Sequence, residues 1–296
     1  MSRIESPSNP RVAAAVRAVA AGDRMLLEGR RMVEEALDAG VPLEEVFIQN
    51  ETSEEHEEFL RRVRGEGAAA GAGAKPAAPA AIVTGVSARV LRRLSELPST
   101  RGVAALAAPP HRTLASLSSS SPSRKTVSSD ITRSNATPTV RGSEAEISSS
   151  LFVLLDGVQD PANVGAIVRC AEAFGVAGVV STPGCAFPFS PRALRASAGS
   201  ALRVPIASRV APSEAIAWAR SNGAVLAGAE AHGGEPPERA AKVRPLVLAV
   251  GSEGHGFSPE LEAALDRRIT FPLGGNVESL NAAVAAGLLL FVLTRV

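Results

Sequence analysis

From residue 151 to residue 295 the chain repeats one pattern: a short branched apolar run, a polar or glycine-bearing loop, then a segment with helical spacing. Residues 151–155, 178–181, 204–206, 224–227, 246–250 and 269–271 read as strands because each run is short and lacks helical periodicity. Residues 164–174, 191–198 and 213–221 read as helices, the first two stopped by Gly175 and Gly199. Strand–helix alternation of this kind implies an α/β fold, with a parallel sheet covered by helices on both faces.

The end of the chain narrows the reading. After the run 246–250 comes Gly251-Ser-Glu-Gly-His-Gly256, whose glycines mark places where backbone approaches another backbone or a ligand. Ser258 and Pro259 then open a helix as N-cap and first helical residue. The run 269–271 enters a second glycine loop, Leu273-Gly-Gly-Asn276, and a last helix is expected from about Ser279. In open α/β sheets, pockets form where strands end beside helix starts. One glycine loop is more simply a tight turn. Two, carrying Glu253, Asn276, Ser279 and Asn281 as polar residues expected to be buried, point to a site, because such groups cost free energy unless paired.

Residues 1–108 have their own alternation, with helices at 10–21, 31–39, 54–64 and 87–94 and strands at 25–29, 43–48, 82–84 and 103–107. This reads as a small α/β domain. An Ala/Gly/Pro tract at 65–80 is expected to be a flexible surface loop. Residues 109–150 are rich in serine, threonine and proline, with unbroken serine from Ser118 to Ser121, and read as a disordered linker. The expected organisation is therefore 1–108, a linker 109–150, and 151–296.

Composition removes several classes of function. The net charge of +1 gives no global basic field for nucleic acid. Locally, no acid occurs from Ala173 to Ser213, while Arg192, Arg195, Arg203 and Arg209 all fall there. That cluster is either a phosphate grip or a solvated helix face. Cys170 and Cys185 lack metal-site spacing and suit a reducing compartment. His56, His111, His232 and His255 form no zinc pattern, so no metal is expected. With no tyrosine and few aromatics, a platform stacking several bases is not expected. The first residues lack the apolar core of a signal peptide, and the longest apolar run, 282–293, is too short to span a bilayer. A soluble, cytoplasmic protein without membrane partners is expected.

Three stretches then carry a resemblance. Asn163-Val-Gly-Ala-Ile-Val-Arg169-Cys-Ala-Glu-Ala-Phe-Gly175, Gly251-Ser-Glu253-Gly-His-Gly256 and Phe271-Pro-Leu-Gly-Gly-Asn276-Val-Glu-Ser279-Leu-Asn281 resemble, in order and spacing, the three motifs of the SpoU/TrmH branch of the SPOUT RNA methyltransferases. Residues 1–108 look like the ribosomal-protein-like substrate-binding domain that precedes many of these enzymes. The resemblance implies methyl transfer from S-adenosyl-L-methionine to a ribose 2′-hydroxyl of RNA. It also implies a C-terminal SPOUT domain with a deep trefoil knot, and a homodimer. Ribosomal RNA is the favoured substrate, transfer RNA the alternative.

Carried over residue by residue, Gly251, Phe271 and Leu280 fall where the family contacts its cofactor, and Leu273 is expected beside them. Arg169 matches the catalytic arginine. A guanidinium stays protonated, so its expected role is to orient the ribose and stabilise the developing alkoxide. Glu253 either holds its loop or senses the sulfonium. Asn163 is either a helix cap or a substrate contact. Ser279 and Asn281 either bond ribose or Arg169, or serve as helix cap and backbone partner. Arg195, with Arg192 beside it, corresponds to an arginine that grips RNA phosphate. Two other classes compete. A nucleotide-dependent oxidoreductase shares the strand–glycine loop–helix pattern, but the spacing here is G-x-x-G-x-G and no acid closes the next strand. A non-catalytic RNA-binding module is opposed by the joint presence of Arg169, Glu253, Ser279 and Asn281.

Overall fold

The computed structural model describes residues 3–49, 54–65, 81–95, 102–118, 150–274 and 277–295. Its strands are β1 (Arg3–Ile4), β2 (Met25–Glu28), β3 (Leu43–Ile48), β4 (Ile82–Val86), β5 (Val103–Ala107), β6 (Leu151–Asp156), β7 (Gly178–Ser181), β8 (Ile206–Ser208), β9 (Val225–Ala229), β10 (Leu246–Gly251) and β11 (Arg267–Ile269). Its helices are α1 (Pro10–Ala21), α2 (Arg30–Asp38), α3 (Glu54–Val63), α4 (Ala88–Leu94), α5 (Leu114–Ser118), α6 (Pro161–Ala173), α7 (Pro191–Ala196), α8 (Pro212–Ser221), α9 (Pro237–Ala240), α10 (Pro259–Ala264) and α11 (Ala282–Arg295). They form two compact units, Met1–Pro110 with Phe187–Arg203, and His111–Ala186 with Val204–Val296.

The first unit is built on a five-stranded sheet in the order β1-β4-β3-β5-β2. β1, β4 and β3 run parallel, and β5 runs antiparallel to β3 and β2. α1 begins where the Asn9 side chain accepts from the Arg11 amide and proline takes the first turn, and it stops at Gly22 in the left-handed region. Val12, Leu26, Phe47, Val90, Leu91 and Leu106 meet in one core. The sequence pattern groups 187–203 with the C-terminal half, whereas packing groups it here. α7 lies against β2, Phe189 and Leu194 are buried, and Arg203 pairs with Glu35 at 2.6 Å.

The second unit carries six parallel strands in the order β11-β9-β10-β6-β7-β8. β6 and β10 are neighbours, with Leu246 opposite Leu151 and Gly251 opposite Asp156. Both are almost wholly buried, which is why their sequences run apolar without alternation. Phe152, Leu154, Val247 and Ala249 share a core with Trp218, Ala219 and Leu261. The Phe152 and Trp218 rings meet edge to face at 5.0 Å. α11 packs along α6, and a Cβ at Gly287 would stand 3.2 Å from the Cys170 sulfur. The small residues of α11 thus serve close helix packing at that point.

Several boundaries differ from the sequence reading. β11 is centred two residues earlier than expected and carries Arg267 and Arg268. β9 is its one neighbouring strand among the described residues, a single bridge joins Ile269 to Glu235 on the other side, and its arginines reach Glu235, Glu230 and Glu262. An edge strand needs no apolar run to mark it. α11 starts at Ala282, because Asn281 accepts from the Ala283 and Val284 amides at 3.0 and 3.3 Å. β8 likewise begins at Ile206. The beginning of the expected linker is ordered. His111 bridges to Ile206, and α5 buries Leu117 against Gly178 in the core that also holds Phe152 and Trp218. Leu114 and Leu117, one turn apart, supply the apolar face that the serine-rich composition hides. Residues 66–80 and 119–149 lie outside the described residues. Among those described, no helix is long and apolar enough to cross a membrane.

Candidate active site

A cavity of about 260 Å³ opens in the second unit at the C-terminal ends of β9, β10 and β11. Gly251, Phe271, Leu273 and Leu280 line it together, and Glu253 and Ser279 share the same wall. The sequence reading missed the third contributing loop, at 229–231, and with it Glu230, which also lines the cavity. The available signal was an acid immediately after a buried strand. That loop is held to the end of β11 and the residue after it: the Glu230 amide donates to the Ile269 carbonyl at 2.9 Å, and the Thr270 hydroxyl to the Ala231 carbonyl at 3.0 Å. The Glu230 carboxylate pairs with Arg268, whose other arm is held by Glu262.

The loop after β10 closes on itself. Ser252 and Gly256 exchange two backbone hydrogen bonds, at 2.8 and 2.9 Å. A Cβ on Gly251 would fall 2.7 Å from the Gly256 carbonyl carbon, and Gly256 has φ 68°. Only glycine fits that approach at 251, and at 256 a side chain is disfavoured by the left-handed backbone. A Cβ at Gly254 or Gly274 would meet nothing within 4 Å, so the close backbone approach found at 251 is not repeated at those two glycines. Gly275 and Asn276 lie outside the described residues.

Asn163 is not the cap of its helix. Asp160 caps α6, accepting from the Ala162 amide at 2.9 Å. Asn163 instead donates to Glu253 Oε1 at 2.5 Å and accepts from Asn281 Nδ2 at 2.9 Å. Nor are the polar residues of the two loops buried: Glu253, Ser279 and Asn281 are all exposed. Ser279 neither caps α11 nor makes a hydrogen bond among the described residues. Ser258 occupies the N-cap position of α10, but its hydroxyl makes no capping bond. Arg169 stands exposed on α6, outside the cavity wall, with no hydrogen bond or ion pair among the described residues. Burial pushes the neighbouring Cys170 thiol up, and the charge of Arg169 opposes that shift.

Arg195 belongs to the first unit and pairs with Glu28, whose carboxylate is 1% exposed. Glu28 also accepts from the Ser95 hydroxyl. The guanidinium expected to meet RNA phosphate is thus engaged by a buried acid of its own unit. Arg192 is exposed on the same helix.

Residues 150–291 match the model of the SpoU rRNA methylase family. That stretch of the chain belongs to the SpoU family. Residues 20–105 match the MRM3-like substrate binding domain. An uncharacterized tRNA/rRNA methyltransferase of Mycolicibacterium gilvum is 32% identical over 156 residues, which are 53% of this chain and 50% of that protein. The chain spans about half the length of the curated relatives it matches. The crystal structure of an RNA 2′-O ribose methyltransferase is similar at 26% identity and TM-score 0.67, covering 99% of this chain and 98% of that one. The AdoMet-bound rRNA methyltransferase of Sinorhizobium meliloti shares the fold at TM-score 0.75 and 23% identity, covering 99% of this chain and 97% of that one.

Within the SpoU stretch the three motifs converge through the Asn163 amide. Asn163 and Arg169 share α6, Glu253 belongs to the loop after β10, and Asn281 caps the helix that packs along α6. The described cavity wall carries two carboxylates, Glu230 and Glu253, and no Lys, Arg or His. Arg268 partly offsets the Glu230 charge from outside the wall, and the remaining negative potential still favours a ligand carrying positive charge over one carrying phosphates.

Proposed function

We propose that the chain transfers a methyl group from S-adenosyl-L-methionine to a ribose 2′-hydroxyl of RNA, with ribosomal RNA as the substrate. The observation that carries the reading is the cavity wall itself: Gly251, Phe271, Leu273 and Leu280 converge beside two acids and no base. A sulfonium cofactor suits that field. A dinucleotide would bring its pyrophosphate against carboxylates with no helix N-terminal glycine turn of the usual spacing. The resemblance to an RNA 2′-O ribose methyltransferase and the match of residues 20–105 to a substrate binding domain support the choice of RNA.

In this reading Gly251, Phe271, Leu273 and Leu280 hold the adenosine end of the cofactor, whose sulfonium supplies the methyl group. Glu253, held by Asn163, keeps the loop after β10 in place and adds negative potential beside the sulfonium. Arg169 orients the target ribose with its phosphate and stabilises the oxyanion, since a guanidinium does not give up its proton. Alignment of the hydroxyl supplies much of the rate.

The partner is a second copy. Val284, Leu288 and Phe291 repeat at helical spacing on α11 and stay 51%, 45% and 46% exposed, an apolar stripe that a self-complementary interface covers. Sedimentation of Leu288→Glu should show a monomer beside a dimeric parent. The deep trefoil knot is part of the same proposal, with the segment after β11 passing beside the loop after β10.

Calorimetry on the full chain tests the cofactor: S-adenosyl-L-methionine should bind and NAD should not. Gly251→Ala, whose methyl would meet the Gly256 backbone, should weaken binding about tenfold or more. Binding of NAD alone refutes the reading. Mapping ribose methylations lost on deletion of the gene decides between ribosomal and transfer RNA.

A further inference from the structure

Asp156 ends β6 and is 4% exposed. Its Oδ1 accepts from the Thr182 hydroxyl at 3.0 Å, one residue past β7. Its Oδ2 accepts from the Ser258 backbone N–H at 2.6 Å, where the loop after β10 leaves the cavity. Thr182 Oγ1 in turn accepts from the Gly157 amide at 3.2 Å. The three loops are also in steric contact: a Cβ on Gly157 would lie 3.5 Å from Ser252 Cβ, and one on Gly184 3.4 Å from Gly157 Cα. The Ser258 hydroxyl is buried and finds no partner among the described residues, so the loop exit is held through its backbone N–H.

A buried carboxylate is tolerated where donors surround it, and bonds to a charged acceptor are the short, strong ones. Asp156 has one donor from the loop that follows each neighbouring strand, Thr182 after β7 and Ser258 after β10. We propose that Asp156 is a positioning residue for the cofactor cavity. It fixes the exit of the 251–257 loop, so that Gly251, Glu253 and Phe257 keep their places on the wall. It also ties that loop to the segment leading into α6, the helix that carries Asn163 and Arg169. The proposal rests on the reading of the cavity as a site for S-adenosyl-L-methionine.

The test uses the full chain, with S-adenosyl-L-methionine titrated into Asp156→Ala, Asp156→Asn and Ser258→Pro. Ser258 has φ −61° and ψ 149°, which proline adopts, so that substitution keeps the local backbone but replaces the N–H donor with a ring carbon set against the Asp156 carboxylate. Asp156→Ala and Ser258→Pro should each weaken binding about tenfold or more, since a hydrogen bond to a charged group is lost. Asp156→Asn keeps an oxygen to accept from Ser258 and should stay within about threefold of the parent. Backbone hydrogen exchange should quicken at 251–257 in the first two variants and stay unchanged in α8. Folded Asp156→Ala and Ser258→Pro proteins that bind like the parent and exchange like it overturn the proposal. Where Asp156→Ala does not fold, Ser258→Pro decides. A parent chain that binds no S-adenosyl-L-methionine refutes the proposed function instead, and the exchange rates at 251–257 then still decide whether Asp156 holds the loop.

Discussion

Asn281 donates to Asn163 at 2.9 Å across 118 positions of chain, and the same Asn163 side chain donates onward to Glu253. One amide thereby links the start of α6, the loop after β10 and the cap of α11. Asn163→Asp puts a carboxylate against Glu253 in place of a donor, whereas Asn163→Ala merely removes the link. The aspartate variant should bind S-adenosyl-L-methionine about three- to tenfold more weakly than the parent, and more weakly than the alanine variant. Calorimetry on both checks the order; equal affinities would show that the bridge does not hold the cavity.

Arg169 is exposed, outside the cavity wall and unpaired among the described residues. Arg169→Ala should therefore abolish methyl transfer while leaving cofactor affinity within about twofold. Methyl incorporation into RNA, measured beside calorimetry, separates the two effects. Undiminished turnover refutes the catalytic assignment.

Arg195 is the partner of a buried acid, and its removal strands Glu28. Arg195→Ala should lower the stability of the first unit by about 1–3 kcal/mol, less than for a fully buried pair because the arginine remains 31% exposed. Urea unfolding measures it, and Arg192→Ala on the same helix is the comparison. A loss of RNA affinity with unchanged stability would mean that the guanidinium leaves Glu28 for phosphate.

Asp266 gives an acid-sensitive contribution to stability. Burial works to raise its carboxyl, but the Arg220 guanidinium at 2.6 Å, the Leu226 amide at 2.8 Å and the charges of Arg220 and Arg267 outweigh it and hold the carboxyl below its ordinary value. The folded value lies under the unfolded one, so this stability is present above about pH 3.9 and is lost as pH falls through the folded value. Asp266→Asn should be less stable than the parent at neutral pH and show a flatter loss below about pH 4. Urea midpoints across the acid range check both; parallel curves would remove Asp266 from the account.

The alternation of buried runs with helical segments from 151 onward was enough to specify a parallel α/β unit, and the glycines at 251 and 256 to locate a constrained turn. Those features are carried by near neighbours in sequence: periodicity, caps and breakers act over a few residues. The sequence reading places β11 two residues late because an edge strand whose first two residues are paired arginines carries no apolar run there. Leu117 escaped that reading because two leucines in serine-rich surroundings reveal a core face only once the core that also holds Phe152 and Trp218 is assembled. The resemblance of the three motifs brought Asn163, Glu253 and Asn281 together as candidates, but not that Asn163 joins the other two. Likewise an arginine-rich, acid-free stretch could not disclose that Arg195 faces Glu28, 167 positions away. A polar side chain's partner is chosen by whichever donor or acceptor the folded backbone brings within about 3 Å. That choice belongs to the tertiary structure, which gives the α6 cap to Asp160, makes Asn163 a bridge and pairs Arg195 with Glu28.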